Sequence, residues 1–280
     1  MNARGKRATG VAAGPAFRLT LSLAATLALF APSCSVALHA QTAAPATSGT
    51  AATSGDADSK SIFGMWMIHM PPGPKLANYS NTDLARGPLS MTPYGIEKFG
   101  EVKSTFGPHA VSISESNEPT FKCFPPGVPA IYTFLYPVEI VKAPDEVIML
   151  YEYDHQVRHV YTDGRPHPAD AEPTWMGHST GHMDGDAFVI DTVNFNDKSW
   201  LDRFGHPHSE QLHLTERLQR VDKDFLRIDF TFDDPKTYTQ PWTSQLYFQH
   251  KTGWEMLEYL CTDNLKFLNF EKVLNQPASK

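Results

Sequence analysis

Residues 212–232 read LHLTERLQRVDKDFLRIDFTF, and their alternation decides the fold. Apolar residues recur at every second position on both sides of Asp222-Lys223-Asp224, the period of a half-buried strand and not of a helix. A three-residue turn over Asp222–Asp224 sets Leu214, Glu216 and Leu218 opposite Phe232, Phe230 and Ile228 on one face, with Arg217 facing Asp229 on the other. A second hairpin lies upstream in TWMGHSTGHMDGDAFVIDTV (174–193), where Asp184-Gly185 is a two-residue turn signal because glycine tolerates positive φ. Turning there sets Met183 against Asp186 and His178 against Asp191.

Working outward, short alternating runs separated by turn residues predict strands at 62–70, 109–115, 129–141, 146–154, 157–163, 174–183, 186–195, 211–221, 225–233, 241–249 and 254–261. The expected fold is all-β, an antiparallel lipocalin-like barrel of about 8–10 strands with one or two short helices. One helix starts at the Thr92 cap with Pro93 in its first position, spaces Ile96, Phe99 and Val102 along one face, and stops at Gly107. The other is NLKFLNFEKVL (264–274), capped by Thr262 or Asp263.

The chain has 280 residues, 41% of them hydrophobic, enough to bury a core. Residues 1–40 read as a signal peptide: Arg4, Lys6, Arg7 and Arg18 carry its charge, and Leu19–Ala31 is a thirteen-residue apolar run. That run is shorter than the ~20 residues a membrane span needs, and small residues allow cleavage after Ala37 or Ala40. Cys34 would be the acylated residue of a lipoprotein, but the usual Leu three positions earlier is Ala31. Residues 41–60 form a flexible Ala/Thr/Ser/Gly linker, and 61–280 a single barrel domain. Beyond residue 40, 20 basic residues face 31 acidic ones, a balance of −11 that repels phosphate backbones and anionic lipid surfaces. A periplasmic or secreted protein with a small-molecule ligand, no nucleic-acid partner and no membrane span is expected.

In an oxidising compartment Cys123 and Cys261 pair as a disulfide or remain two buried thiols. The pairing would close a loop of about 138 residues and add about 4–5 kcal/mol on the chain-entropy model.

Gly64-Met65-Trp66 resembles the glycine-x-tryptophan of the lipocalins, whose barrels hold small apolar ligands. More extensively, CFPPGVP (123–129), YPVEIV, YTDGRPHP, PTWMGH, FNDKSWLD, GHPHS, LHLTER and DDPKTYTQPW together resemble a family of uncharacterised secreted bacterial proteins. The resemblance spans roughly residues 61–265 and implies export and a β-rich fold; it carries over no reaction and no catalytic residue.

Eight of the twelve histidines (His155, His159, His167, His178, His182, His206, His208 and His213) fall within 59 residues. Histidine is both an acid/base group near neutral pH and a metal ligand, although single histidines in polar loops also occur as plain solvated residues. The turn at Asp184-Gly185 pairs His178 with Asp191, which would hold the imidazole tautomer and raise its basicity. The bland alternative is a cross-strand polar pair. Glu216 shares a face with Leu214, Leu218, Ile228, Phe230 and Phe232, so desolvation would suit it to act as an acid, unless it is a buried carboxylate tied to Arg158.

His206, His208 and His213 have spacing that could chelate a divalent transition metal; Pro207 equally suits a rigid loop, and no cofactor is firmly implied. Trp175, Trp200, Trp242 and Trp254 either line a pocket or fill the core. The chain carries no phosphate-binding glycine loop and no G-x-S-x-G elbow.

Together these residues point to an acid/base enzyme of lyase, hydratase, isomerase or hydrolase type, with catalytic His178, Asp191, Glu216 and Arg158. The alternative is a lipocalin-like carrier or sensor without turnover, using Met65, Met67, Phe230 and Trp242. A structural or envelope interaction protein, without a sizeable cavity, is the third reading.

Overall fold

In a computed structural model of the chain, residues 60–73, 79–107 and 110–263 are described, and all belong to one compact unit, residues 52–280. The segments expected to be a signal peptide and, except for Lys60, a flexible linker, together with the helix expected at 264–274, lie outside the described residues.

Nine strands form a closed barrel in chain order: β1 (Gly64–His69), β2 (Val138–Lys142), β3 (Glu146–Tyr151), β4 (Val157–Tyr161), β5 (His178–Asp184), β6 (Ala187–Val193), β7 (His213–Arg220), β8 (Phe225–Asp233) and β9 (Trp242–His250). β9 pairs with β1 to close the ring, leaving neither strand with a bare edge. The hairpin at 212–232 has the register its alternation predicts: Leu214, Glu216 and Leu218 face Phe232, Phe230 and Ile228, and Arg217 faces Asp229.

Several expectations are corrected. The barrel is mixed, because β4 and β5 run parallel through Val160–Ser179 and Tyr161–Thr180. The described part of 109–115, residues 110–115, and residues 254–261 form no strand: Ile113–Glu115 is a 3-10 turn, and in the second stretch only Tyr259 bridges, to Tyr153. Helix α1 (Pro93–Gly100) begins at the predicted cap, where Thr92 Oγ1 accepts from Gly95 N at 3.2 Å, but it ends at Gly100, well before Gly107.

The upstream hairpin also turns later than expected. Its closing pair is Asp184–Ala187, so Gly185 and Asp186 form the loop, and His178 lies opposite Val193 while Asp191 lies opposite Thr180. Gly185 has φ +60° in the first central position, where a type II′ turn requires glycine. The slip of two residues keeps every side chain on its expected face, because strand side chains alternate with period two.

The barrel interior is filled by side chains. Trp66, Ile140, Met149, Ile190, Leu218, Ile228, Phe230, Phe232 and Phe248 are all at most 1% exposed. Trp66, from the Gly-x-Trp segment, donates its Nε1–H to the Ile62 carbonyl at 2.8 Å. Cys123 and Cys261 form a disulfide across 138 residues, joining the loop before β2 to the segment after β9. Among the described residues no helix is long and apolar enough to cross a membrane.

Candidate functional site

Arg158 on β4 and Glu216 on β7 meet inside the barrel, 1% and 0% exposed. Nη1 of Arg158 donates to Glu216 Oε1 at 3.1 Å, and Nη2 binds Oε2 in a short contact. The other donors reach Ser179 Oγ (3.1 Å), Thr192 Oγ1 (2.8 Å) and Tyr132 Oη (2.9 Å), while Tyr132 donates to Glu216 Oε1 at 2.8 Å. Burial works against the guanidinium's charge, but Glu216 and Tyr132 outweigh it and hold the group protonated well above the ordinary arginine range. Burial likewise pushes the Tyr132 phenol well above its ordinary value, reinforced by Glu216. The two residues expected to supply an acid and an anion-stabilising cation therefore engage each other, and His178 is not among their partners.

Outside the barrel, histidines from three segments meet around Asp191. Its Oδ1 receives His213 Nε2 in a short contact, and its Oδ2 lies 3.9 Å from His167 Nε2. The opposite nitrogen of His167, Nδ1, lies 2.8 Å from His178 Nδ1. Strand pairing supplies two of these positions: His178 and Asp191 both point outward from neighbouring strands, two pairs apart. His167 comes from the loop joining β4 to β5 and lies between them, bonded to His178 and 3.9 Å from Asp191.

Two imidazole nitrogens in contact need one hydrogen between them. With Nδ1–H on His178, that ring donates to His167 Nδ1, and the far nitrogen of His167 faces the Asp191 carboxylate at 3.9 Å, beyond hydrogen-bond range. His178 Nε2 is then left with a lone pair. Burial, the His167 ring and Arg165 together lower the His178 pKa below the ordinary histidine range, so that lone pair is available at neutral pH. Tyr161 stacks on His178 with centroids 5.3 Å apart, and the Arg165 guanidinium lies over the Tyr161 ring at 4.0 Å from its centre. The chemistry available here is proton abstraction by an oriented, neutral imidazole.

The expected three-histidine metal site does not form. His206 Nδ1 binds Asp202 Oδ2 at 2.8 Å, His208 Nε2 binds Ser199 Oγ at 2.9 Å, and His213 belongs to Asp191. Pro207 separates two rings that turn to different partners. The one metal-like triad among the described residues is Asp83, Asp202 and His206, whose ligand atoms lie within 4.8 Å of one another. Asp202 accepts from Leu84 N, Phe204 N, His206 N and the His206 ring, and Asp83 Oδ1 accepts from Arg86 N, so these carboxylates brace the loop.

The aromatic residues expected at a pocket take separate places. Trp242 stacks on Phe232 at 3.9 Å, Trp175 on Phe124 at 5.8 Å, and Trp254 lies half exposed beneath Lys251. Trp200 lines a groove of about 320 Å³ beside α1, together with Tyr94, Lys98, Lys198, Ser199 and His208. Sequence reasoning missed His167 as a link and Ser199 altogether. Both sit in loops whose long-range partners no local period announces. Comparison with known proteins matched no protein-family model, no curated protein and no solved structure.

Proposed function

We propose that this chain is an exported β-barrel enzyme that acts on a small, partly apolar molecule by general acid and base chemistry, with His178 as the base. The carrying observation is the run from His178 through His167, at 2.8 Å, to Asp191, at 3.9 Å. His167 orients His178 directly, the Asp191 carboxylate favours positive charge on the pair from 3.9 Å, and His213, on the other carboxylate oxygen, is the partnering acid. Export is supported by the basic and apolar leader of the sequence and by the Cys123–Cys261 bridge, which suits an oxidising compartment. The resemblance of YTDGRPHP and FNDKSWLD to segments of secreted bacterial proteins points the same way.

Arg158 and Glu216, fully engaged inside the barrel, hold together the strands that carry the site. A carrier would draw on Met65, Met67, Phe230 and Trp242, but Phe230 and Trp242 pack against other rings of the core. The enzyme reading is tested by screening the purified protein against small esters, lactones, α,β-unsaturated acids and hydroxy acids, then comparing variants on whatever is turned over. His178→Ala and Asp191→Asn should each lower kcat about 10²–10⁴-fold, the range for removing a positioned base. Equal turnover by folded His178→Ala overturns the assignment.

A further inference from the structure

A second reactive arrangement lies in the groove beside α1, apart from the histidine network. Ser199 and His208 are 4% and 3% exposed, and both line the groove. His208 Nδ1 lies 3.2 Å from the Ser209 carbonyl oxygen, which can only accept, so Nδ1 carries the hydrogen. Nε2 therefore carries the lone pair, and the 2.9 Å contact to Ser199 is a hydroxyl donating to an imidazole. Asp234 fixes the orienting carbonyl by accepting from Ser209 N and Ser209 Oγ, both at 2.7 Å. Complete burial lowers the His208 pKa, against the opposing influence of Ser209 and Asp234, so the ring stays a neutral acceptor. A Cβ at position 127 would lie 2.8 Å from Ser199 Oγ, so Gly127 leaves the hydroxyl its room.

We propose that Ser199 and His208 are the nucleophile and base of an acyl-transfer site for small carboxylic esters. Hydroxyl, imidazole and a carbonyl orienter stand in the order that activates a serine. In the first half-reaction Ser199 Oγ bonds to the ester carbonyl carbon and its proton moves to His208 Nε2. The bond from that carbon to the leaving alkoxide oxygen then breaks, and the alkoxide takes the proton from Nε2 and departs as an alcohol. In the second half-reaction water gives a proton to Nε2 and its oxygen to the acyl carbon. Ser199 Oγ leaves, recovers the proton from Nε2, and a carboxylic acid is released. Tyr94 and Trp200 offer apolar walls, and about 320 Å³ suits an ester of modest size.

The test is covalent labelling of the full chain with diisopropyl fluorophosphate, followed by intact mass and peptide mapping. One phosphoryl adduct on Ser199 is expected, absent from Ser199→Ala and formed normally in Ser114→Ala, which removes an exposed serine. In His208→Gln the labelling rate should fall by about 10²-fold or more. No adduct at Ser199 on the folded protein, or an unchanged rate in folded His208→Gln, overturns the proposal. Should His208→Gln fail to fold, the wild-type rate is followed against pH. It should rise to a plateau through a group titrating below the ordinary histidine range, and a pH-independent rate overturns the proposal. Labelling reads Ser199 alone, so its outcome is independent of the acid/base reading of His178.

Discussion

His206 and His208, separated by Pro207 alone and both buried, have their proton affinities moved in opposite directions. His206 donates to the Asp202 carboxylate at 2.8 Å, whereas His208 accepts from the Ser199 hydroxyl at 2.9 Å. Burial opposes charge on both rings. At His206, Asp202 and then Asp83 outweigh it and raise the pKa; at His208 burial prevails and lowers it.

The two rings should therefore shape the pH dependence of stability in opposite senses. His206 keeps a proton that the unfolded chain sheds near pH 6.5, so its contribution is complete below about that pH and is lost as pH rises through the raised folded value. His208 refuses a proton that the unfolded chain takes up, so stability falls as pH drops below about 6.5. Urea unfolding between pH 5 and 8 checks both. Asp202→Asn should be most destabilising at the acid end, and His208→Gln should flatten the acid limb. A deficit of Asp202→Asn that grows with pH would contradict the first.

The Arg158–Glu216 pair predicts an asymmetry. Glu216→Gln leaves a buried guanidinium without its counter-charge and should cost about 3–5 kcal/mol, while Arg158→Met with Glu216→Leu should recover much of that loss. Chemical denaturation of the single and double variants measures both. A cost under about 1 kcal/mol for Glu216→Gln would mean that water reaches the pair.

Histidine titration by NMR gives access to the outer network without a substrate. His178 should titrate below the ordinary histidine range, and Arg165→Gln, which removes one of the neighbouring charges, should raise its pKa. An unchanged or lowered value in that variant would contradict the arrangement.

Reduction of the Cys123–Cys261 bridge opens a loop of 138 residues. On the chain-entropy model this removes about 4–5 kcal/mol, an upper figure given that measured effects are commonly about 2–4. Thermal unfolding with and without reductant, and of the Cys123→Ser, Cys261→Ser double variant, should show the same large drop in Tm. Equal Tm values would place the bridge outside the cooperative unit.

What the sequence disclosed was governed by local period. Alternation in 212–232 fixed both register and face, down to Glu216 opposite Phe230. Asp184-Gly185-Asp186 was ambiguous, because the same glycine serves the second position of one hairpin turn or the first of another. The choice moved His178 by two residues while leaving its face correct. Loop chemistry was opaque. Nothing near Asp163–Pro168 signals that His167 folds back onto β5, and nothing in FNDKSWLD signals that Ser199 meets His208. These contacts depend on how the loops travel over the barrel, not on any repeat within them.

The parallel joint between β4 and β5 has a cause in parity. Nine strands laid in chain order around a ring cannot alternate up and down all the way round, since an odd cycle admits no perfect two-colouring. At least one neighbouring pair must share a direction. Here it is β4 and β5, which follow one another in the chain, so their connection travels the length of the barrel wall instead of turning back in a hairpin. That traverse is residues 162–177, the segment that brings His167 to His178 and Asp191. An eight- or ten-stranded relative could close with hairpins alone and would have no need of the strap. His167 is thus carried on the crossover that the β4–β5 parallel pair requires.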